Sequence, residues 1–343
     1  MNPVIINNKS VKPHKAYKNP LMQSRNVLTN SPWEFVSLWL KKEKKHRALF
    51  FWNQAHEFSN TSSSLSIQSS PLLHYYSFMN MVKAMLVSKN ISFEEIHGIK
   101  SHNLRGVSKK ITLCNEGVKI LKKGILSSLS LYLNETSIDD IYSLEELLYN
   151  IPCIHRTFCL TYKTVKDLFI PLTNCEYQYD SSNNVYCVAK VTSEFVDNKL
   201  SSILPESFEM INTDGTIRSI PSISISNPNN ISLSDVNQIS DLNTILRKDL
   251  QYINGATALW YLKCNRCHPK RIDRYPLTIM LAVMHRLSEL CRYKPIELSA
   301  FLEGQKNWLI SEFINMTSKQ FLDEIASEIT GHQFLIPNIR QAS

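Results

Sequence analysis

Two helical periods separated by a short polar run dominate residues 47–90, and nothing else in the chain narrows its fold as much. Ala48, Phe51, Trp52, Ala55 and Phe58 recur at i, i+3, i+4 and i+7, which lays a single apolar stripe along one helix. The period fades across residues 59–64, which are rich in serine. Ser70-Pro71 then supplies an N-cap and a proline whose missing N–H costs nothing at the first helical position. Leu72, Tyr75, Tyr76, Met79, Val82 and Leu86 carry the period on to Asn90. Two amphipathic helices joined by so short a connection predict antiparallel neighbours packed face to face in a core.

A helix also precedes this pair. Ser31-Pro32-Trp33-Glu34 reads as a capping box, and the helix it opens presents Trp33, Val36, Trp39 and Leu40 inward. Residues 91–135 predict only mixed short elements. Ser143-Leu144-Glu145-Glu146 opens a further helix, interrupted near Pro152 and resumed from His155 to Tyr162. The middle changes character: Cys175 to Tyr179 alternates, residues 180–184 are turn formers, and Val185 to Val191 resumes, which predicts a β-hairpin. More strand is expected at 216–220 and 258–262, with a Ser/Asn/Pro-rich loop at 222–232. Helix returns after Tyr275-Pro276 with Leu277, Met280, Leu281, Met284, Leu287 and Cys291, and Pro295 closes it. Shorter helices follow at 296–302, 306–315 and 318–330, stopped by Gly331.

The fold class that follows is α+β and predominantly α-helical, with helical N- and C-terminal parts around a β-rich middle. Its expected divisions are a flexible basic lead-in at 1–30, a helical part at 31–160, a β-containing middle at 161–273, a helical part at 274–333 and a tail at 334–343.

Composition sets bounds on function. With 43% hydrophobic and 20% charged residues the chain can bury a core, so wholesale disorder is excluded. Its net charge of +8 comes entirely from residues 1–50, where ten Lys or Arg face two acids. A neutral body with a basic leading segment does not read as a globally basic nucleic-acid binder. The run Leu277 to Met284 is far too short to cross a bilayer, for which about 20 apolar residues are needed. The first residues carry no basic n-region or apolar h-region, so the expected compartment is the cytoplasm, with no membrane contact. There the eight cysteines are read as reduced thiols.

Several segments together resemble the YaaC-like proteins of bacteria. They are Phe51-Trp52-Asn53-Gln54-Ala55, Pro71-Leu72-Leu73-His74-Tyr75-Tyr76, Asn80-Met81-Val82-Lys83-Ala84, His97-Gly98, Ile151-Pro152-Cys153-Ile154-His155 and Leu287 to Pro295. The similarity runs from about Ser31 to Gly331. What it implies is an intracellular bacterial protein, with some members in phage-defence contexts; it supplies a setting and no mechanism.

Candidate chemistry is sparse. Cys264-Asn265-Arg266-Cys267-His268 spells a c-type haem attachment, yet that chemistry belongs to exported proteins. Zinc at Cys264 and Cys267 lacks a second cysteine pair. Cys153, His155 and Cys159 are the distant alternatives, so no metal and no cofactor are expected. HEPN-type ribonucleases use an arginine and a histidine a few residues apart on one helix, and no such spacing occurs: Arg47 and His56 have eight residues between them, Arg274 and His285 ten.

His97, Lys100, His102 and Arg105 form a loop cluster able to meet an anion, against the simpler reading that Gly98 only makes a turn. Asn53, Gln54, His74, Tyr76, Asn80, Lys83 and His97 form a polar set on or beside the paired helices, which either specifies the core or lines a pocket. Lys41, Lys42, Lys44, Lys45 and Arg47 could hold nucleic-acid phosphates, although cations at a helix C-terminus already complement its dipole. Arg286 and Arg292 stand at helical spacing from Glu289 and read as surface ion pairs. The function expected is therefore a binding or regulatory module that engages a protein partner, with a metal-independent ribonuclease or nucleotide-handling enzyme as the alternative. No catalytic residue is assigned.

Overall fold

A computed structural model of the chain describes all residues except 107–109, 136–139, 164, 198, 256–257, 265–270, 305–306 and 336–343. The fold is α+β, with 45% helix and 19% strand. The chain separates into two units, each assembled from discontinuous segments: residues 31–166 with 270–330, and residues 1–30 with 167–269 and 331–343. Among the described residues, no helix is long and apolar enough to cross a membrane.

The first unit is helical around a small sheet. Ser31 caps the Pro32–Lys42 helix by accepting from the Glu34 N–H. In the following His46–Ser63 helix, the Trp52 indole N–H donates to the Trp33 carbonyl at 2.9 Å, and the two indoles lie 4.6 Å apart. The Ser70–Ser88 helix packs against His46–Ser63, Pro276–Tyr293 and Asn307–Thr330, and it is buried on nearly every side. Its polar residues turn inward without penalty because backbone carbonyls take their protons: Ser77 donates to Ala55 at 2.8 Å, Ser88 to Met85 at 2.7 Å and Asn80 to Tyr76 at 2.9 Å. Phe78 stacks on Phe321 at 4.0 Å.

Asn307–Thr330 is one helix, not the two expected. Thr317 and Ser318 bond back to the carbonyls of Phe313 and Ile314, so hydroxyls at the expected break are satisfied within a continuous helix. Residues 91–143 supply a three-stranded antiparallel sheet of Ile99–Asn103, Glu116–Ile120 and Ile141–Ser143, with the Ile125–Tyr132 helix between its second and third strands.

The second unit is built on an antiparallel sheet. Its order is Phe208–Met210, Thr216–Ser219, Asn184–Val191, Phe169–Tyr179, Leu259–Lys263 and Leu250–Ile253. The expected hairpin is its centre, with Tyr177 opposite Cys187. Asp180 makes the turn by accepting from the N–H groups of Ser182 and Asn184 at 2.9 Å. The Leu233–Leu246 helix lays Ile239, Leu242 and Leu246 into the core beside Ile170, Tyr177, Cys187 and Leu262.

The expectation of helical N- and C-terminal parts is overturned here. Residues 1–30 carry the strands Asn2–Pro3, Ile5–Ile6, Lys9–Ser10 and Val27–Leu28, and Phe334–Leu335 pairs in parallel with the last of these. Asn2–Pro3 extends the main sheet against Phe169–Tyr179. Val4 and Val11 lie in the core, and the Lys15 ammonium is buried against Asn254 Oδ1 at 2.9 Å and the Phe334 carbonyl at 2.7 Å. Two-residue strands have no period to read: Ile5–Ile6 and Lys9–Ser10 pair with each other, while Asn2–Pro3 and Val27–Leu28 take partners far along the chain. Helix is thus the larger class without being the rule at either end.

Candidate functional site

Two glycines fix the backbone from which the site in the helical unit is built. Gly98 and Gly124 both have positive φ, +74° and +117°, and a Cβ on Gly124 would stand 2.4 Å from the Gly98 nitrogen. Only glycine allows that approach. Around it the chain is tied by Ile125 N–H to the Ile96 carbonyl at 2.9 Å, and Leu126 N–H to the His97 carbonyl at 3.2 Å. His97 is thereby held at the surface with its ring against the Ser70–Ser88 and Pro276–Tyr293 helices.

Three aromatic groups meet there. Tyr75 Oη and His97 Nδ1 are 2.6 Å apart, the His285 ring stands edge-on to Tyr75 at 5.0 Å, and the two imidazoles are 5.6 Å apart. One residue further along the helix, Arg286 donates to Glu289 at 3.2 Å and to Glu116, whose carboxylate also receives Arg105. His285 Nδ1 lies 3.6 Å from Glu289. Glu116 is fully buried, so a carboxylate between two guanidinium groups is the arrangement in which its charge can persist there. Against this frame opens a cavity of about 260 Å³ lined by Ser101, Asn103, Arg286, Glu289, Leu290, Tyr293 and Lys294.

The electrostatics favour an anion. Arg105, Arg286, Glu116 and Glu289 balance, which leaves Lys294 in the lining as uncompensated charge. Burial, then the neighbouring His97, Arg286 and Arg292, lowers the His285 pKa to about 3. His97 is lowered by partial burial and then by Arg292 and Lys83. Both imidazoles are therefore neutral at pH 7, beside cations. The cavity is smaller than the roughly 300–1,000 Å³ usual for drug-sized ligands. It suits a small anion, or the charged end of a larger molecule.

The residues named from sequence distribute unevenly. His97 belongs to this site, whereas the Lys83 ammonium lies over the Phe51 ring, 5.3 Å from its centroid. Tyr76 is partly buried and packs on Phe58 and Tyr75, and Asn80 is bonded to its own helix. His74 faces elsewhere, bridging Ser62 and Ser318 through Nδ1 at 3.1 and 3.2 Å. Asn53 is exposed and meets Ser37 at 3.3 Å, and Gln54 is half-buried. Of the loop cluster, Arg105 turns inward to Glu116, whereas Lys100 stays exposed. Arg286 pairs with Glu289 as its spacing suggests, but the pair is not a surface one: Arg286 is buried, drawn in by Glu116.

The basic turn remains at the surface: Lys41, Lys42, Lys44 and Arg47 are exposed, Arg47 lies 3.9 Å from Glu95, and Lys45 reaches Asn90 at 3.4 Å. In Cys264-x-x-Cys267-His268, Cys264 is a buried thiol and the remainder lies outside the described residues. His155 Nε2 and Cys159 Sγ are 3.4 Å apart. Sequence reasoning missed Glu116 and the role of Tyr75. Only the Arg286–Glu289 spacing could have signalled this frame, since Glu116 lies 170 residues from Arg286.

The family model described as YaaC-like Protein matches residues 15–329. No curated protein and no solved structure matches the chain.

Proposed function

Because the chain belongs to the YaaC-like family, a membership that names no chemistry, we propose from the site itself that the protein is a binding and regulatory module. Its helical unit takes the anionic group of a small ligand in the cavity beside Arg286, and the loaded module engages a protein partner. The setting that the family resemblance implies, antiphage defence in a bacterial cytoplasm, is the context proposed for that partner. The exposed basic turn at Lys41, Lys42, Lys44, Lys45 and Arg47 offers that partner an acidic-surface contact.

The observation that carries this reading is Arg286. It lines the cavity, bridges Glu116 and Glu289, and its buried Nε finds no hydrogen-bond acceptor among the described residues. A ligand oxygen there would satisfy a donor that is otherwise costly to bury. Calorimetry of the full chain against inorganic phosphate, sulfate and small phosphate esters tests it. Saturable binding weakened about tenfold by Lys294→Ala is expected, the loss of one charge-assisted contact. If none of these anions binds at millimolar concentration, the reading falls.

One observation favours a metal-independent ribonuclease as a second reading: His97 and His285 stand together with Tyr75. His285 is only 4% exposed, however, which keeps it from a polymer. RNA cleavage in EDTA that disappears in His97→Ala would reverse the order of the two readings.

A further inference from the structure

His155 and Cys159 stand one turn apart on the His155–Thr161 helix, and neither lines the cavity beside Arg286. Cys159 Sγ lies 3.4 Å from His155 Nε2, within hydrogen-bond reach for sulfur. The other ring nitrogen, Nδ1, is 3.2 Å from the Tyr149 carbonyl oxygen. A carbonyl only accepts, so Nδ1 carries the ring proton and Nε2 presents its lone pair to the thiol. The backbone thus fixes the tautomer, and it is the one in which the imidazole can act as a base toward Cys159.

Burial places the pair at a boundary. His155 is buried, as are Phe158 and Tyr149, whose ring lies 5.4 Å from the imidazole. Cys159 is half-buried and its helix neighbours Arg156 and Leu160 are exposed, so the sulfur borders solvent while its base is shielded from it. An orienting acceptor, a base and a nucleophile in hydrogen-bond series are the parts of an activated thiol. Cys291 supplies the contrast. It is also half-buried, but its Sγ faces the Ser69 carbonyl at 3.7 Å, an oxygen that accepts a hydrogen bond and does not take the proton.

We propose that Cys159 is a nucleophilic thiol, with His155 as its base and the Tyr149 carbonyl orienting that base, and that it is a site of covalent modification by small disulfides. In the reaction the Cys159 proton passes to His155 Nε2, and the sulfur electron pair attacks one sulfur of the disulfide. The S–S bond breaks and the departing thiolate takes the proton from His155. The products are a mixed disulfide on Cys159 and one free thiol, with the incoming disulfide as the oxidant. A second thiol reverses the step by the same exchange.

The test uses the full chain and dithiodipyridine, a neutral disulfide, with peptide mapping by mass spectrometry to follow each cysteine separately. At pH 7 Cys159 should be labelled about tenfold faster than Cys291. His155→Asn keeps an amide N–H where Nδ1 stands and removes the base. It should slow Cys159 about tenfold, while the exposed Cys114 keeps its rate. Lost packing would act in the opposite direction, because a loosened helix exposes the thiol and speeds its labelling. Cys159 labelled no faster than Cys291 in the unaltered chain overturns the assignment, and so does a His155→Asn rate equal to or above the unaltered one.

Discussion

Glu116 shows how much a single side chain can hold. Its carboxylate sits between Arg105 and Arg286 with no exposure to water. Removing it would leave two buried cations facing one another, and breaking a buried ion pair from one side typically costs about 3–5 kcal/mol. Glu116→Ala should lower unfolding stability in urea by that order, far more than Glu94→Ala, whose partner Lys123 is exposed. Equal effects would mean that the clamp contributes nothing. Three buried histidines govern acid behaviour. Burial, followed for His14 and His285 by nearby cations, lowers the pKa of His14 and His285 to about 3 and that of His74 to about 4. In the unfolded chain each takes a proton near pH 6.5. The folded form binds fewer protons, so their contribution is full above about pH 6.5 and is lost progressively as pH falls toward 4. Urea midpoints measured across that range should decline, and His74→Gln should make the decline shallower. None of this was readable from residue type alone. His74, His97 and His285 each lie on or beside an apolar stripe, and only the tertiary neighbours decide which is a core group and which meets solvent.

Elements with strong periodic patterns were legible, and those defined by partners were not. The paired helices, the hairpin at Phe169–Tyr179 with Asn184–Val191, and the Pro276–Tyr293 helix all follow from apolar spacing. The Leu233–Leu246 helix escapes a reading by period, although Ser232 and Asp235 form a reciprocal capping box and Val236, Ile239, Leu242 and Leu246 keep helical spacing. Of the polar residues between them, Asn237, Ser240, Asp241 and Asn243 favour turns and mask the period. Asn243 also serves tertiary structure, because its side chain accepts from the His14 N–H at 2.8 Å and the Tyr177 hydroxyl at 3.1 Å. Ser232→Ala should cost about 1 kcal/mol, the usual worth of an N-cap, in thermal unfolding. The Gly98–Gly124 contact is an element-scale constraint of another kind. Gly124→Ala would combine a positive φ with a Cβ 2.4 Å from backbone, so a loss of at least about 1–3 kcal/mol is expected. Gly106→Ala provides the comparison, since its φ is also positive but nothing lies within 4 Å. A smaller loss there separates steric contact from backbone strain.

At the scale of the whole molecule, the chain's path determines what a truncation does. The sheet-bearing unit is closed by three segments drawn from both ends and the middle of the sequence. A leading segment rich in Asn, Lys and Pro gives no local sign of this, because many of the groups that hold it lie far along the chain. Asn243 meets His14, and Asn254 and Phe334 meet Lys15. Arg247 stacks on Tyr17 at 4.3 Å. Deleting residues 1–30 would remove Val4, Val11 and Tyr17 from burial, at about 1.5–3 kcal/mol for each large apolar side chain. It would also strip partners from the buried Arg247 guanidinium, which donates to the Lys15 carbonyl at 3.2 Å. Together these losses approach the roughly 5–15 kcal/mol by which a whole domain is typically stable. Hydrogen exchange on the truncated chain should therefore show the amides of Phe169–Tyr179 and Asn184–Val191 unprotected, while those of the Ser70–Ser88 helix in the other unit keep their protection. Sheet amides that stay protected would mean that the first thirty residues decorate this unit and do not complete it.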